Sequence, residues 1–326
     1  MEHRIVFTGK NELKLESFEP NVCGEGQVVA RTLSSLISTG TEGIVLNRLF
    51  AAGSHWDDWV KYPFYAGYAV VARVEQIGAG VKSLHIGDRV VCRHGHSSVI
   101  VVGEFDCDKV PDGITDEDAA WFALAKIAFM SARAAKYFLG ESVVIIGGGP
   151  IGQMAVRWAN AAGLANIVVV DPVSRRLELA KLGGATTVID KPIDQARDAI
   201  IGALGGQEPQ ILIDSTGNAK VFSSILKMAG TCARVIILGD TGTPDNQHLT
   251  GDLVSKGLQV IGASDGLVWP APHIHQLYFT LLKKGMISMK GMNTHSFAPA
   301  EARAAYDVIN TRRQETMGVL FHWKKA

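Results

Sequence analysis

Two stretches of the 326-residue sequence combine residue types and spacing that suit chemistry. In "VVIIGGGPIG", Gly147, Gly149 and Gly152 form G-x-G-x-x-G between an apolar strand-like run and a helix-like run. Each glycine has a task in binding a dinucleotide. Gly147 permits a tight turn, Gly149 lets the backbone approach a pyrophosphate, and Gly152 lets helix and strand pack closely. The helix start at Pro150 and Ile151 offers free N–H groups and a positive dipole end to phosphates. The next apolar run, "NIVVVD", ends in Asp171, 24 residues after Gly147. A carboxylate there accepts hydrogen bonds from the adenosine ribose and repels a 2′-phosphate, which predicts NAD as cofactor. Arg175 and Arg176 follow it and leave NADP open, with Arg176 a candidate to lie over the adenosine. The alternative is a purely structural glycine turn.

The second stretch is "LISTGTEG", Leu36 to Gly43. Ser38, Thr39, Thr41 and Glu42 are candidates to hold a substrate, with Glu42 also able to relay a proton. The same residues start helices, because hydroxyls cap and a first-turn acid favours the dipole. Lys126 stands in the apolar run "AAWFALAKIAFM". A buried lysine loses its preference for the charged form, which suits a general base for an alcohol proton. The bland reading is an amine that snorkels to water. Cys92, His94 and His96 alternate in "VCRHGH" and suggest metal ligands. Positions i and i+2 on a straight strand lie about 7 Å apart, however, so pocket-wall or core roles are preferred. Trp56 and Trp59, with Asp57 and Asp58, suit a sugar ring or anchor a surface loop. Asp265 and Trp269, in "ASDGLVWPAPH", either line the nicotinamide end or form a turn.

Composition narrows the setting. Lys plus Arg and Asp plus Glu are 32 each, so nothing in the net charge calls for nucleic acid or an anionic membrane as partner. Cys23, Cys92, Cys107 and Cys232 form no C-x-x-C pair. The opening "MEHRIVFTGKNELKL" reads as strand, turn, strand and lacks a signal peptide's apolar core, and no run reaches the roughly 18 apolar residues of a membrane span. A reduced cytoplasmic location is expected.

The elements that must position these residues change character along the chain. Residues 1–115 hold short β-type runs cut by Gly, Pro, Asn and Asp. One Ala-rich helix is expected from the acids at 116–118 through "AAWFALAKIAFMSARAAKYF". From residue 142, apolar strands alternate with helices, the pattern of a parallel sheet covered on both faces. "PAEARAAYDVINTRR" reads as a late helix and "MGVLFHW" as a last strand.

In this order of elements the chain resembles the medium-chain dehydrogenase/reductase family over essentially its whole length. "GAGVKSLHIGDRV" is similar to the family's connecting segment, "VVIIGGGPIGQMAVRWANAAG", "VVVDPVSRRLELAKLGGATTVID" and "ILIDSTG" to its coenzyme domain, and "FAPAEARAAYDVI" to its C-terminal return. The resemblance implies an α/β fold: a discontinuous GroES-like β domain, residues 1–126 and 263–326, plus a Rossmann doubly wound parallel-sheet domain, residues 127–262, with the active site in the cleft. It adds Ser215, Thr216 and Gly239 to the cofactor-binding positions. Where zinc members carry a first catalytic ligand, this chain has Ser38. In place of the histidine of G-H-E stands Tyr68, and Ala123 aligns with the third ligand. The cysteine-rich lobe for structural zinc is missing between Asp88 and Pro111. These departures imply no zinc and a zinc-free branch, and "STGTE" is similar to relatives of bacteriochlorophyllide hydroxyethyl dehydrogenase. Tyr68 becomes a candidate catalytic group, and His94, His96, Asp265 and Trp269 join the substrate-binding candidates.

The resulting expectation is a zinc-independent NAD(P)-dependent oxidoreductase acting on a small-molecule secondary alcohol or ketone, with a sugar, polyol or cyclitol favoured. An enone or quinone reductase, or a dinucleotide-binding sensor without turnover, is the alternative. The resemblance further implies a homodimer or homotetramer.

Overall fold

The computed structural model describes residues 1–266 and 271–323. The N-terminal β-prone runs become β1 (Glu2–Gly9), β2 (Glu12–Phe18) and β3 (Gln27–Leu36). Helices α1 (Thr39–Asn47) and α2 (His55–Trp59) follow. Then come β4 (Phe64–Tyr65), β5 (Val70–Ile77), β6 (Arg89–Cys92), β7 (Val99–Gly103) and β8 (Cys107–Lys109). The helix expected from residue 116 onward is two helices, α3 (Asp116–Ala119) and α4 (Phe122–Ala135). Thr115 caps α3 by accepting the Asp118 N–H, and the chain breaks at Ala120 and Trp121, whose indole N–H is tied to Asn293 at 2.8 Å. Propensity favoured one helix; a tertiary hydrogen bond on the indole accompanies the break.

The alternating region gives β9 (Ser142–Ile146), α5 (Pro150–Ala161), β10 (Asn166–Val170), α6 (Ser174–Leu182), β11 (Thr187–Ile189) and α7 (Arg197–Ala203). It continues with β12 (Ile211–Asp214), α8 (Ala219–Met228), β13 (Arg234–Ile237), α9 (Asp252–Ser255) and β14 (Gln259–Gly262). The chain closes with α10 (Ala271–Lys283), β15 (Asn293–Phe297), α11 (Ala302–Thr311) and β16 (Gly318–His322).

Two compact units result. One comprises Met1–Ala123, His275–Lys283 and Met292–Ala326, the other Leu124–Ile274 and Lys284–Gly291. The dividing lines therefore fall inside α4 and α10, not at 126/127 and 262/263. Changes in sequence periodicity mark where element types switch, whereas packing assigns parts of one helix to different units.

In the first unit a sheet runs β15-β16-β3-β5-β6-β8, with β7 also pairing β3, and a smaller one runs β2-β1-β4. β3 alternates buried and half-buried residues before ending in Ser34, Ser35 and Leu36, all buried. That alternation gives one face to an apolar cluster containing Val28, Ala30, Val70, Ala72 and Val90. A second cluster gathers Ile5, Phe7, Val45, Leu46, Trp56, Tyr306 and Phe321. Trp56, proposed as a sugar platform, is thus a core residue at 4% exposure; Trp59 is 53% exposed and meets Phe64 edge-on.

In the second unit six parallel strands take the order β11-β10-β9-β12-β13-β14. The strand order reverses between β9 and β12, the topological switch point at which dinucleotide-binding sheets open a crevice beyond their strand ends. Two apolar clusters use opposite faces of these strands. Val144, Val168, Leu212 and Val235 belong to one, and Val143, Ile167, Ile211 and Ile236 to the other. This is why the strands read as unbroken apolar runs in sequence. Among the described residues no helix is long and apolar enough to cross a membrane.

Candidate active site

The glycine motif sits at that switch point, between β9 and α5. Gly147 has φ +93°, and a Cβ there would lie 2.7 Å from Thr216 Cγ2. A Cβ on Gly152 would lie 1.9 Å from the Gly147 carbonyl oxygen, so the loop and α5 approach through the missing side chain. Gly149 differs: a Cβ on it meets nothing within 4 Å. No side chain caps α5, which begins with Gly149 at N-cap and Pro150 at N1. Open space over Gly149 and an uncapped helix start fit a pyrophosphate, whose oxygens would accept the first-turn N–H groups including that of Ile151.

Asp171, just past β10, is 3% exposed. Its carboxylate accepts the Gly148 N–H at 2.7 Å and the Val173 N–H at 2.8 Å, and Arg176 Nη1 lies 3.4 Å away. Arg175 is exposed. Ser215 turns its hydroxyl into the loop, donating to the carbonyls of Ile146 and Gly147 at 2.9 Å each. Thr216 gives its N–H and O–H to Asp214, whose carboxyl burial pushes above the usual carboxylate range. Gly239 leaves room for Gly217 N, 2.4 Å from where a Cβ would be. Ser215, Thr216 and Gly239 thus brace the glycine turn from the neighbouring strand ends. In the same unit Lys126 is 8% exposed; its Nζ donates to the Asp265 carbonyl at 2.8 Å and lies 3.7 Å from that carboxylate. The amine is held inside the unit and does not snorkel. Trp269 lies outside the described residues.

The hydroxyl cluster lies in the first unit. α1 begins at Thr39 with Ser38 at N-cap, but Ser38 makes no side-chain cap. Its hydroxyl accepts from the Tyr68 phenol at 2.5 Å, and its backbone N–H donates to Glu42 Oε1 at 2.7 Å. The loop does start a helix, as expected, yet the carboxylate four residues on binds the N-cap N–H, and the serine hydroxyl goes to the phenol. Tyr68 is half-buried. Burial pushes its phenol above the usual range and the Glu42 charge adds to this, against the hydrogen bonds with Ser38 and Thr41, which lower it. The Arg93 guanidinium sits 4.9 Å from the Tyr68 ring centre. Thr39 is half-buried beside this pair.

Behind the loop lies a buried polar cluster. Glu42 and His96 are each 1% exposed, with Glu42 Oε2 3.1 Å from His96 Nε2. Tyr306 donates to the same oxygen at 2.5 Å. His96 Nδ1 lies 2.8 Å from Ser35 Oγ, which accepts the Trp323 indole N–H at 2.9 Å. Glu42 therefore accepts from the Ser38 N–H and the Tyr306 O–H and has His96 Nε2 beside it, the kind of setting in which a buried carboxylate is tolerated. His96, expected to bind substrate, has both ring nitrogens engaged inside the protein. His94 and His96 both line a cavity of about 280 Å³ with Arg4, Phe18 and Tyr65, and His94 Nδ1 lies 3.0 Å from the Gly95 carbonyl oxygen. Tyr306, Trp323 and Ser35 escape a sequence reading because each sits at a core-type position of its helix or strand pattern.

The fit of zinc follows from the donor set. Positions 38, 68 and 123 present a serine hydroxyl, a phenol and a buried methyl, and the phenol donates to the serine oxygen. These groups do not suit a zinc ion, which takes thiolate, imidazole or carboxylate. Cys92, His94 and His96 do not converge either. Cys92 is paired across the sheet with Cys107, and the two imidazoles point to separate partners. The hydrogen bond to Cys107, together with burial, pushes the Cys92 thiol well above the usual range.

Comparison with known proteins agrees with this architecture. The family described as alcohol dehydrogenase GroES-like domain matches residues 35–143, and the family described as zinc-binding dehydrogenase matches residues 150–277. An L-threonine 3-dehydrogenase from Anaeromyxobacter sp. (strain K) is 26% identical, covering 83% of this chain and 86% of that protein. Galactitol-1-phosphate dehydrogenase from Escherichia coli superposes with TM-score 0.83 at 22% identity, over 98% of this chain and 99% of that one. A short chain alcohol dehydrogenase from Escherichia coli CFT073, solved with NADH, gives TM-score 0.83 at 20% identity, over 98% and 99%. At these identities the solved structures speak for the fold. With both domain families matched in order, the chain belongs to the medium-chain dehydrogenase/reductase superfamily and is an oxidoreductase of the alcohol-dehydrogenase type.

Proposed function

We propose that this oxidoreductase interconverts a secondary alcohol and its ketone in a polyhydroxy compound, such as a sugar, polyol or cyclitol, with NAD and without zinc. The observation that carries this reading is the Ser38–Tyr68 hydrogen bond, two hydroxyls where zinc-using relatives of the resemblance carry metal ligands. Gly147, Gly149, Pro150, Ile151 and Gly152 would hold the pyrophosphate, and Asp171 the adenosine ribose. A bound nicotinamide supplies the hydride acceptor. The chain's own residues must then orient the carbinol and take its proton. Tyr68 and Ser38 offer hydroxyls to the substrate oxygen, with Thr39 and Thr41 beside them. Lys126 is assigned the proton, and Asp265, which holds the amine, orients it. Arg176 flanks the Asp171 carboxylate and would lie along the adenosine.

The polyhydroxy preference rests on the hydroxyls of Ser38, Thr39, Thr41 and Tyr68 gathered on these segments. A polyol would exchange hydrogen bonds with them, and an apolar substrate would displace their water with nothing in return. The alternative, an enone or quinone reductase, needs no proton-abstracting base. A panel of polyols, cyclitols, keto-sugars, enones and quinones, followed by NADH absorbance, tests the reading. Turnover of a polyol or keto-sugar is expected. Efficient turnover of enones or quinones alone would replace it, and cofactor binding without any turnover would point to a sensor.

A further inference from the structure

Trp323 carries only a donor, and that fact orients the whole cluster behind the Ser38 loop. Its indole N–H occupies a lone pair of Ser35 Oγ, so the Ser35 proton is available to His96 Nδ1, 2.8 Å away. His96 then carries its own proton on Nε2 and donates it to Glu42 at 3.1 Å. The opposite tautomer would aim a second donor at Ser35, beside the Trp323 N–H, and set an imidazole lone pair against the carboxylate. Gly67 makes the arrangement possible: a Cβ on it would lie 2.7 Å from the His96 ring. Phe321 meets the same ring edge-on at 5.1 Å.

We infer that Trp323, acting through Ser35, fixes His96 as the Nε2–H tautomer, and that His96 and Tyr306 are positioning residues that hold Glu42 under the Ser38 N–H. The C-terminal segment thereby sets the direction of the Ser38 hydroxyl toward Tyr68. The catalytic consequence rests on the proposed role of the Ser38–Tyr68 pair; the tautomer does not.

Nitrogen-15 spectra of the full-length protein, with His96→Gln for assignment, test it. The unmodified protein is expected to show His96 protonated at Nε2 and a strongly downfield Ser38 amide proton. Trp323→Phe, which keeps a ring but removes the donor, should populate the Nδ1–H form and shift the Ser38 amide upfield. Ser35→Ala gives the same readout should the tryptophan variant fail to fold. Tyr306→Phe should shift the Ser38 amide without changing the tautomer. Each variant should lower kcat about tenfold, the scale of one charge-assisted hydrogen bond, with KM and NADH affinity within about twofold. An Nδ1–H tautomer in the unmodified protein, an unmoved Ser38 amide, or unchanged kcat in an active enzyme would overturn the inference. Should no alcohol turn over at all, the dehydrogenase reading fails, while the two spectral readouts still decide the positioning.

Discussion

The Asp171 carboxylate accepts the Gly148 N–H at 2.7 Å, joining the end of β10 to the glycine turn after β9. One side chain therefore holds the turn and stands where an adenosine ribose is expected. Asp171→Ala should raise the NAD dissociation constant about ten- to a hundredfold and narrow any preference over NADP. Calorimetric titration with both cofactors checks this. Equal affinity of the unmodified protein for the two would instead implicate Arg175 and Arg176 in binding a phosphate.

Lys126→Met keeps the aliphatic stem and removes the amine. If Lys126 takes the alcohol proton, kcat should fall about 10²–10⁴-fold while NADH affinity stays nearly intact. Near-normal turnover would transfer the proton to another group.

Activity should survive prolonged treatment with a strong chelator, because the hydroxyl, phenol and methyl at positions 38, 68 and 123 do not make a zinc site. Elemental analysis beside the assay decides it. Stoichiometric zinc, with activity lost to the chelator and restored by the ion, would reverse the assignment.

Gly67→Ala should destabilise the fold by about 2–4 kcal/mol. Its φ is +92°, and the new methyl would press on a His96 ring held on both sides. Gly53→Ala is the control: φ is +73° with nothing within 4 Å of a Cβ, so only the backbone cost of about 1 kcal/mol applies. Denaturant midpoints separate the two, and equal losses would show that the ring contact relaxes.

Burial and the adjacent Glu42 hold the Tyr306 phenol well above the usual tyrosine range. The unfolded chain, with an ordinary phenol, releases that proton near pH 10, while the folded chain keeps it. The folded state thus binds more protons above about pH 10. The contribution of Tyr306 is fully present below that pH and declines as pH rises through it. Unfolding curves from pH 8 to pH 11 should show this decline, and Tyr306→Phe should lessen it.

The sequence by itself determined the coenzyme sheet. Apolar strands alternating with helices required a parallel sheet buried on both faces, and Gly147, Gly152 and Asp171 fell at the positions where close packing and a strand end demand them. These signals are local, set by periodicity and by spacing within about thirty residues. The tertiary structure alone decided what surrounds Ser38. Glu42 is four residues away and was in view, but His96 and Tyr306 reach it across 54 and 264 residues of chain, and Trp323 reaches Ser35 across 288. No local pattern distinguishes a tyrosine that packs from one that also donates to a buried carboxylate. Tertiary packing likewise split the expected helix at Trp121 and drew Trp56 into the core. Sequence periodicity says which face is apolar; only the folded chain says which polar atoms meet behind it.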